Sequence, residues 1–439
     1  MLTRLSVATR QENSVRQRRP GFLVFTVGCV LASVLTACGS SGGSEGRGSS
    51  GGGSGADSAA AAAALGPLHK AAGTPVKLGF DSVGVTDAQD YSDEIKAVKA
   101  AVAYANDHLG GIGGHPIQLF VCQDHETPAG ATDCGNQFVS QKVSAVAMGS
   151  PGQLDAVLKV LVPAGIPAAV NAGSTQLALT SPGVFVLNNG VTAFGTPALY
   201  AREHKLKKAA VLILDVPSAV GPAKALLPGL FARAGSSAKI YPVPAGTADM
   251  TPQLQTAAQG KPDLYYVIGD PNFCLSALKA VKTLGVSGKV LVLDRCIADT
   301  QSSSLPGGYA GIDAVAQAVT NPGDKEYKLF DAILNKYAGK NVDRNRSLNG
   351  YQGMLGLIRA VNASKTTDLS PKGIRAALQT MPPTPYPLGG GATFQCDGKA
   401  IPGISKNICL NAGFIATADK SGTLSHFTAL KADGLYNPS

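Results

Sequence analysis

Between Val76 and Thr175 the chain alternates short apolar runs with a helix-length Ala-rich segment, and that alternation admits few architectures. VKLGF (residues 76–80) is an apolar run that leads into polar and glycine residues. The segment from Asp93 to Leu109 places Ile95, Val98, Val102 and Ala105 at helical spacing and stops at Gly110-Gly111, where glycine supplies the positive φ that a helix end favours. IQLFVCQD, SAVAMGS (144–150) and IPAAVNAGST (166–175) continue the series as further strands. Strands alternating with helices predict a parallel sheet whose loops gather at one edge, the edge at which open α/β sheets bind ligands.

The pattern then restarts. Residues 209–215 (AAVLILD), AKIYPVP, 263–270 (DLYYVIGD) and 289–296 (KVLVLDRC) read as strands. TPALYAREHKL, GPAKALLPGLFARAG, MTPQLQTAAQG and CLSALKAVKTLG read as the helices of the same series, so two α/β units stand in tandem. SPGVFVLNN and GYAGIDAVAQAV are expected to carry the chain between the units. DKEYKLFDAILNKYAG, NGYQGMLGLIRAVNAS and PKGIRAALQTM are helices expected to return to the first unit. ATFQCDGKA and ICLNAGFIATA resemble hairpin strands, expected on the second.

A chain of 439 residues is long enough for two or three domains, and 44% hydrophobic with 15% charged residues excludes wholesale disorder. The net charge of +9 is uneven. Residues 1–37 hold Arg4, Arg10, Arg16, Arg18 and Arg19 against Glu12, and the remainder is too weakly basic to suggest nucleic-acid binding. The basic stretch ends at Pro20, an apolar run follows to Val34, and Leu35-Thr36-Ala37-Cys38 resembles a lipobox. The run is short for a span of about 20 residues. Residues 1–37 are therefore expected to be a signal peptide, with Cys38 lipidated and the protein exported and anchored to the outer face of the cell membrane. Arg18-Arg19 leaves the general and twin-arginine export routes both open. Residues 38–74 are Gly, Ser and Ala with few large apolar groups, a composition expected of a flexible tether.

Of eight cysteines, Cys29 lies in the signal and Cys38 is the lipid site. The other six allow about fifteen pairings. Their spacing suggests three local ones, Cys122 with Cys134, Cys274 with Cys296, and Cys396 with Cys409, each worth about 3 kcal/mol on a loop-entropy argument. Buried free thiols are the alternative, disfavoured in an oxidising compartment.

Catalytic and metal motifs do not assemble. Cys122, Asp124, His125, Glu126 and Cys134 match no structural-zinc spacing, and a disulfide with solvated neighbours is expected there instead. The glycines of GGIGGHP precede a strand, whereas a phosphate-binding turn follows one and opens a helix. There is no GxxxxGK[ST] loop and no GxSxG turn between a strand and a helix, and the six histidines are scattered. No metal or cofactor is expected.

In order and spacing, VKLGF, NDHLGGIGGHPIQLFVCQD (106–124), VSAVAMGS, GIPAAVNAGSTQLALT, DLYYVIGD with LKAVKTLG, and LGGGATFQCDGK resemble the substrate-binding proteins of branched-chain amino-acid ABC transporters. These are Leu/Ile/Val-binding-like, type I periplasmic-binding folds, and the resemblance covers about residues 75–435. It implies two lobes, each a parallel sheet flanked by helices, joined by three interlobe crossings. Lobe I would comprise 75–190 and 317–388, and lobe II 191–316 and 389–439. It also implies a monomeric, non-enzymatic protein that captures a small polar or amphipathic molecule, amino-acid-like or related, and delivers it to an ABC permease. A ligand-sensing lipoprotein with the same clamshell is the alternative.

The resemblance assigns the ligand's charged ends to the loops of Gly149 and Ser150 and of Ala172, Gly173, Ser174 and Thr175. Hydroxyls and free amides at strand ends and helix starts suit a carboxylate, and ordinary helix capping is the alternative role. The second lobe departs from the pattern. Ser218 stands in Val216-Pro217-Ser218-Ala219, where amino-acid binders carry an aromatic residue, and the ammonium-binding acid falls on Phe273, with Asp270 nearby. Tyr91, Phe273 and Tyr241 could supply aromatic contacts. Asp294 and Arg295 are candidate contacts on a rim that a Cys274–Cys296 bridge would stiffen, or else a salt bridge.

Overall fold

The computed structural model describes residues 53–86, 90–188 and 191–436, all within one compact unit. Residues 1–37, Cys38 and the first part of the tether lie outside them. The first helix, α1 (Gly53–Leu65), packs on a helix formed some 270 residues later. Residues 66–74 then run beside the first sheet's helix, with His69 N–H donating to Asp107 O (2.8 Å) and Ala71 N–H to Asn106 O (2.7 Å). This corrects the expected tether. Alanine is the strongest helix former, and Leu65, Ala61 and Ala64 borrow an apolar surface that composition alone cannot show.

The first sheet is built as the periodicity implies. It runs β1 (Val76–Ser82), α2 (Ser92–His108), β2 (Ile117–Gln123), α3 (Pro128–Gln141), β3 (Ala145–Met148), α4 (Leu154–Leu161), β4 (Ala168–Val170), α5 (Gln176–Thr180) and β5 (Val184–Val186). All five strands are parallel in the order β2-β1-β3-β4-β5. Strands buried on both faces read as continuous apolar runs, and every residue of β3, β4 and β5 is buried.

The second sheet repeats that order. Its elements are α6 (Thr192–Glu203), β6 (Lys208–Leu214), α7 (Pro217–Arg233), β7 (Ser237–Val243), α8 (Thr251–Ala258), β8 (Leu264–Ile268), α9 (Pro271–Leu284), β9 (Lys289–Leu293) and β10 (Ile312–Ala316). The strand order β7-β6-β8-β9-β10 matches the first sheet position for position. Each sheet therefore has a switch point between its first and third strands, where neighbouring crossovers leave in opposite directions and open a crevice.

The chain then returns. α10 (Lys325–Tyr337) and α11 (Arg344–Ser364) pack on α2, α11 also covers β3 and β4, and α12 (Pro371–Thr380) packs on α11. Tyr351, Met354, Leu355, Leu357 and Ile358 of α11 are fully buried. Glycine permits this approach: a side-chain carbon at Gly353 would stand 2.9 Å from Met148 O, and one at Gly350 2.5 Å from Glu94 Cγ.

The tail departs from expectation in two ways. Strands β11 (Thr384–Pro385) and β12 (Thr393–Phe394) form a small ladder, and the hairpin on the second sheet is β13 (Ala412–Ala418) with β14 (Leu424–Lys431). β14 is an exposed edge strand without clean alternation, which is why the sequence reading missed it. Residues 395–410 also stay with the first sheet. Val186 N–H donates to Asn407 O (2.8 Å) and Cys409 N–H to Val186 O (2.9 Å), so this segment covers the open edge of β5 before crossing. The expected bridges Cys122–Cys134, Cys274–Cys296 and Cys396–Cys409 are all present.

The packing of α11 makes a direct prediction. Gly353→Val drives a branched side chain against the β3 backbone and should destabilise the protein by about 1–3 kcal/mol. Gly221→Ala, in α7 with open space around it, should instead stabilise by about 0.5–1 kcal/mol. Denaturant melts of the two variants check both signs.

Candidate functional site

The site is sought where the strands end at the two switch points. In the first lobe the ends of β1, β3 and β4 lead into Ser82, Gly149-Ser150 and residues 171–175. Gly149 is required there, because a side-chain carbon would collide with Glu94 Oε1 and the Gly350 amide. Ser150 is half-buried and its Oγ accepts from Asn349 Nδ2 (2.9 Å). Thr175 caps α5 by accepting from Ala178 N–H (3.2 Å) and donates its own hydroxyl to Asp155 Oδ1 (2.6 Å). Ser174 is exposed, Ala172 half-buried and Gly173 buried. Tyr91, half-buried, stands immediately before α2 and ties back through its N–H to Gly84 O (2.8 Å).

Beneath these loops lie three buried carboxyls, of which the sequence draws attention only to Asp124. Asp81 on β1, Glu94 in the first turn of α2, and Asp124 just after β2 are all fully buried. Glu94 Oε2 accepts from Ser82 Oγ (3.0 Å) and Asp124 Oδ1 from Glu126 N–H (2.6 Å), whereas neither oxygen of Asp81 has a hydrogen-bond partner. Burial raises all three pKa values; Asp124 and Glu94 add repulsion at Asp81, Asp124 adds it at Glu94, and Glu126 adds it at Asp124. Asp81 is pushed well above the carboxylate range and Glu94 to about 7, although the hydroxyl of Ser82 and the amide and hydroxyl of Ser150 oppose the shift at Glu94. Asp124 thus corrects the expectation of solvated neighbours for the Cys122–Cys134 bridge, while His125 and Glu126 are exposed as anticipated. Among the described residues no group of three or more His, Cys, Asp or Glu could hold a metal. The available signal was Asp81 itself, an acid directly after the apolar Leu78-Gly79-Phe80 of β1.

In the second lobe Asp270 is an exposed helix cap, its Oδ1 accepting from the amides of Asn272 and Phe273 (both 2.9 Å). Phe273 is 5% exposed and its ring packs on Gly269 in the lobe core, so it stands as a core residue beside the Cys274–Cys296 bridge. Asp294 accepts from the amides of Arg295 (2.8 Å) and Gln317 (3.1 Å), and burial raises its pKa. Its donors are backbone groups, one of them on the strand that leaves the lobe. Arg295 is exposed. Ser218 lies in the first turn of α7 with its side chain outside the described ones, and Asp215, exposed, follows β6.

Behind the first-lobe loops lies a buried amide network. Asn171 Nδ2 donates to Asn349 Oδ1 (3.0 Å) and Gln352 Oε1 (3.3 Å), and Tyr386 Oη donates to Asn171 Oδ1 (2.6 Å). Gln352 Nε2 reaches Pro387 O (3.1 Å) and Gln317 O (3.4 Å), and Asn188 Nδ2 reaches the same Gln317 O (3.3 Å). Residues 188 and 317 stand where the chain passes between the two sheets, after β5 and after β10, so the network reaches both of those segments. A surface hollow of about 1050 Å³, lined by Leu206, Lys261, Asp263 and Lys289, opens at the opposite edge of the second sheet, away from the strand ends.

A family model described as periplasmic binding protein matches residues 81–418. No curated protein sequence matches. Among solved structures the chain is similar to an ABC transporter substrate-binding protein from Sphaerobacter thermophilus, with 17% identity over 82% of this chain and 97% of that one and a TM-score of 0.64. A solute-binding protein of R. palustris in complex with 4-hydroxybenzoate shares 18% identity over 82% and 97%, with a TM-score of 0.62. The branched-chain amino acid transporter substrate-binding protein of Streptococcus pneumoniae, in complex with isoleucine, shares 18% over 82% and 100%, with a TM-score of 0.59. These likenesses show the fold, and with the family match covering residues 81–418, well over half of the chain, the chain belongs to the periplasmic binding protein family.

Proposed function

We propose that the protein is a lipid-anchored, extracytoplasmic solute-binding protein that captures a small polar or amphipathic molecule between its lobes and hands it to an ABC permease. The observation that carries this reading is the repeated strand order, which gives each lobe its own switch-point crevice and leaves crossing segments joined by amides between them. Neither crevice alone encloses a solute. Contacts made with both lobes at once are what would favour a closed state over an open one. Relatives of the same fold bind an aromatic acid or an amino acid, which supports small-solute capture. The first lobe contributes the Ser150 loop and residues 172–175, with Tyr91 at the rim, and the second contributes Asp270 and Arg295. Cys38, by its lipobox, supplies the anchor. A ligand sensor would use the same clamshell, and transporter genes beside this one would favour import.

Thermal-shift screening of the purified full chain against a broad metabolite panel, followed by small-angle scattering with each hit, tests the reading. Saturable binding with compaction is expected. A panel without hits, together with unchanged scattering, would overturn it. Cys38→Ala should move the protein from the membrane fraction to the soluble one, as fractionation would show.

The buried Glu94 sets a pH response. Its folded pKa of about 7 lies above the unfolded value, so the native state holds the extra proton and stability falls as pH rises through that interval. Glu94→Gln removes this penalty. It should stabilise the empty protein by roughly 3 kcal/mol at about pH 8 and have little effect below about pH 4.5, as melts across pH would reveal.

A further inference from the structure

An amide side chain has a direction, because one end donates and the other accepts, and partners of fixed role decide which way it faces. The network behind the first-lobe loops contains such partners. Gln352 Nε2 lies against two backbone carbonyls, Pro387 O (3.1 Å) and Gln317 O (3.4 Å), which can only accept. Gln352 therefore turns its Oε1 toward Asn171, and Asn171 meets it with Nδ2 (3.3 Å). The second hydrogen of that nitrogen goes to Asn349 Oδ1 (3.0 Å), while Asn171 Oδ1 receives the hydroxyl of the buried Tyr386 (2.6 Å). Asn349 is left to point its Nδ2 at Ser150 Oγ (2.9 Å). Reversing any one of these amides would set donor against donor or acceptor against acceptor and leave buried groups unsatisfied.

The series of donors ends on Ser150. A serine hydroxyl carries one hydrogen, and because Asn349 approaches Oγ as a donor, that hydrogen leaves in another direction. The neighbouring hydroxyls are already committed. Thr175 accepts from Ala178 N–H and gives its hydrogen to Asp155, and Ser82 gives its own to Glu94. Ser150 is half-buried at the end of β3. Glu94 draws on its amide and hydroxyl in the empty protein, yet Glu94 Oε1 completes no hydrogen bond of ordinary geometry. An oxygen entering at this loop would compete with that carboxyl group for the Ser150 hydrogen.

Resting on the clamshell reading, we propose that Gln352, Asn171 and Asn349 are positioning residues that hold Ser150 as a hydrogen-bond donor toward the cleft, so that the solute group taken there is an acceptor, a carbonyl or carboxylate oxygen. They act through Ser150, by setting the polarity of its hydroxyl.

Neutron diffraction from perdeuterated crystals of the purified full chain reads the relay without any solute. The Asn349 amide nitrogen should face Ser150, and the Ser150 deuteron should lie away from Asn349. A deuteron on the Asn349 side would overturn the proposal. A second arm inverts one link while keeping its shape. In Asn349→Asp the new carboxylate accepts from Ser150 when ionised, drawing the hydrogen out of the cleft, and donates again when protonated. Titration calorimetry compares isoleucine and 4-hydroxybenzoate with 2-methylbutylamine and 4-hydroxybenzylamine. At least one acid should bind, and neither amine. Relative to the unchanged protein at the same pH, that acid should bind Asn349→Asp about ten-fold more weakly at about pH 8 and recover most of the loss at about pH 5. Ser150→Ala should cost about ten-fold at both. A purely structural role for Asn349 predicts equal loss at both pH values, and that result would sink the proposal, as would amines that bind where the acids do not. A solute of another class that binds with compaction and ignores Ser150→Ala would end the assignment and leave solute capture standing. If nothing binds and scattering is unchanged, solute capture falls too, and the deuteron positions still judge the relay.

Discussion

Asn171 holds the architecture together at its most sensitive point. Fully buried at the end of β4, its side-chain amide bonds Asn349 and Gln352 from α11 and Tyr386 from the segment that follows α12. Residues from α11 and from the segment after α12, both far along the chain, therefore converge on one side chain. A buried polar network is worth having only when its members are satisfied, and here Gln352 passes the connection on to Pro387 and to Gln317, just after β10. The loop of Ser150, the end of β4 and the segment after β10 thus share one set of hydrogen bonds.

The two sheets solve the same problem with different chemistry. Each uses the strand order that opens a crevice between its first and third strands, but the first lobe buries carboxyls beneath the crevice and the second exposes them around it. Exposed carboxylates cost little while solvated, whereas burial penalises the charged form. Asp270 shows how modest a role one exposed acid has in the empty protein: it caps α9 and waits at the rim.

Much of this was legible from residues alone. Apolar runs such as VKLGF and AVAM mark doubly buried strands, and the Ala-rich helix ending in Gly110-Gly111 marks the crossover between them. Local cysteine spacing foretold all the bridges. What stayed hidden depends on partners far away in sequence. The helix at Gly53–Leu65 needs the apolar face of α10, residues 395–410 need the open edge of β5, and β14 needs β13. The same holds at the site. Asn349 and Gln352 look like ordinary polar residues of an amphipathic helix until α11 is laid against β3 and β4, and Glu94 looks like a surface acid until Gly350 brings α11 against it. Phe273, read as a possible contact, proves to be filling the space that Gly269 leaves open.

The bridges have a mechanical consequence. Cys122–Cys134 joins β2 to α3, Cys274–Cys296 joins α9 to the turn after β9, and Cys396–Cys409 closes a loop lying on the first sheet's edge. Each is a rivet within one leaf, and none is a hasp between the two. Oxidation can therefore stiffen the leaves without locking the pair, and a reductant would soften the plates while leaving the swing of the joint itself unhindered.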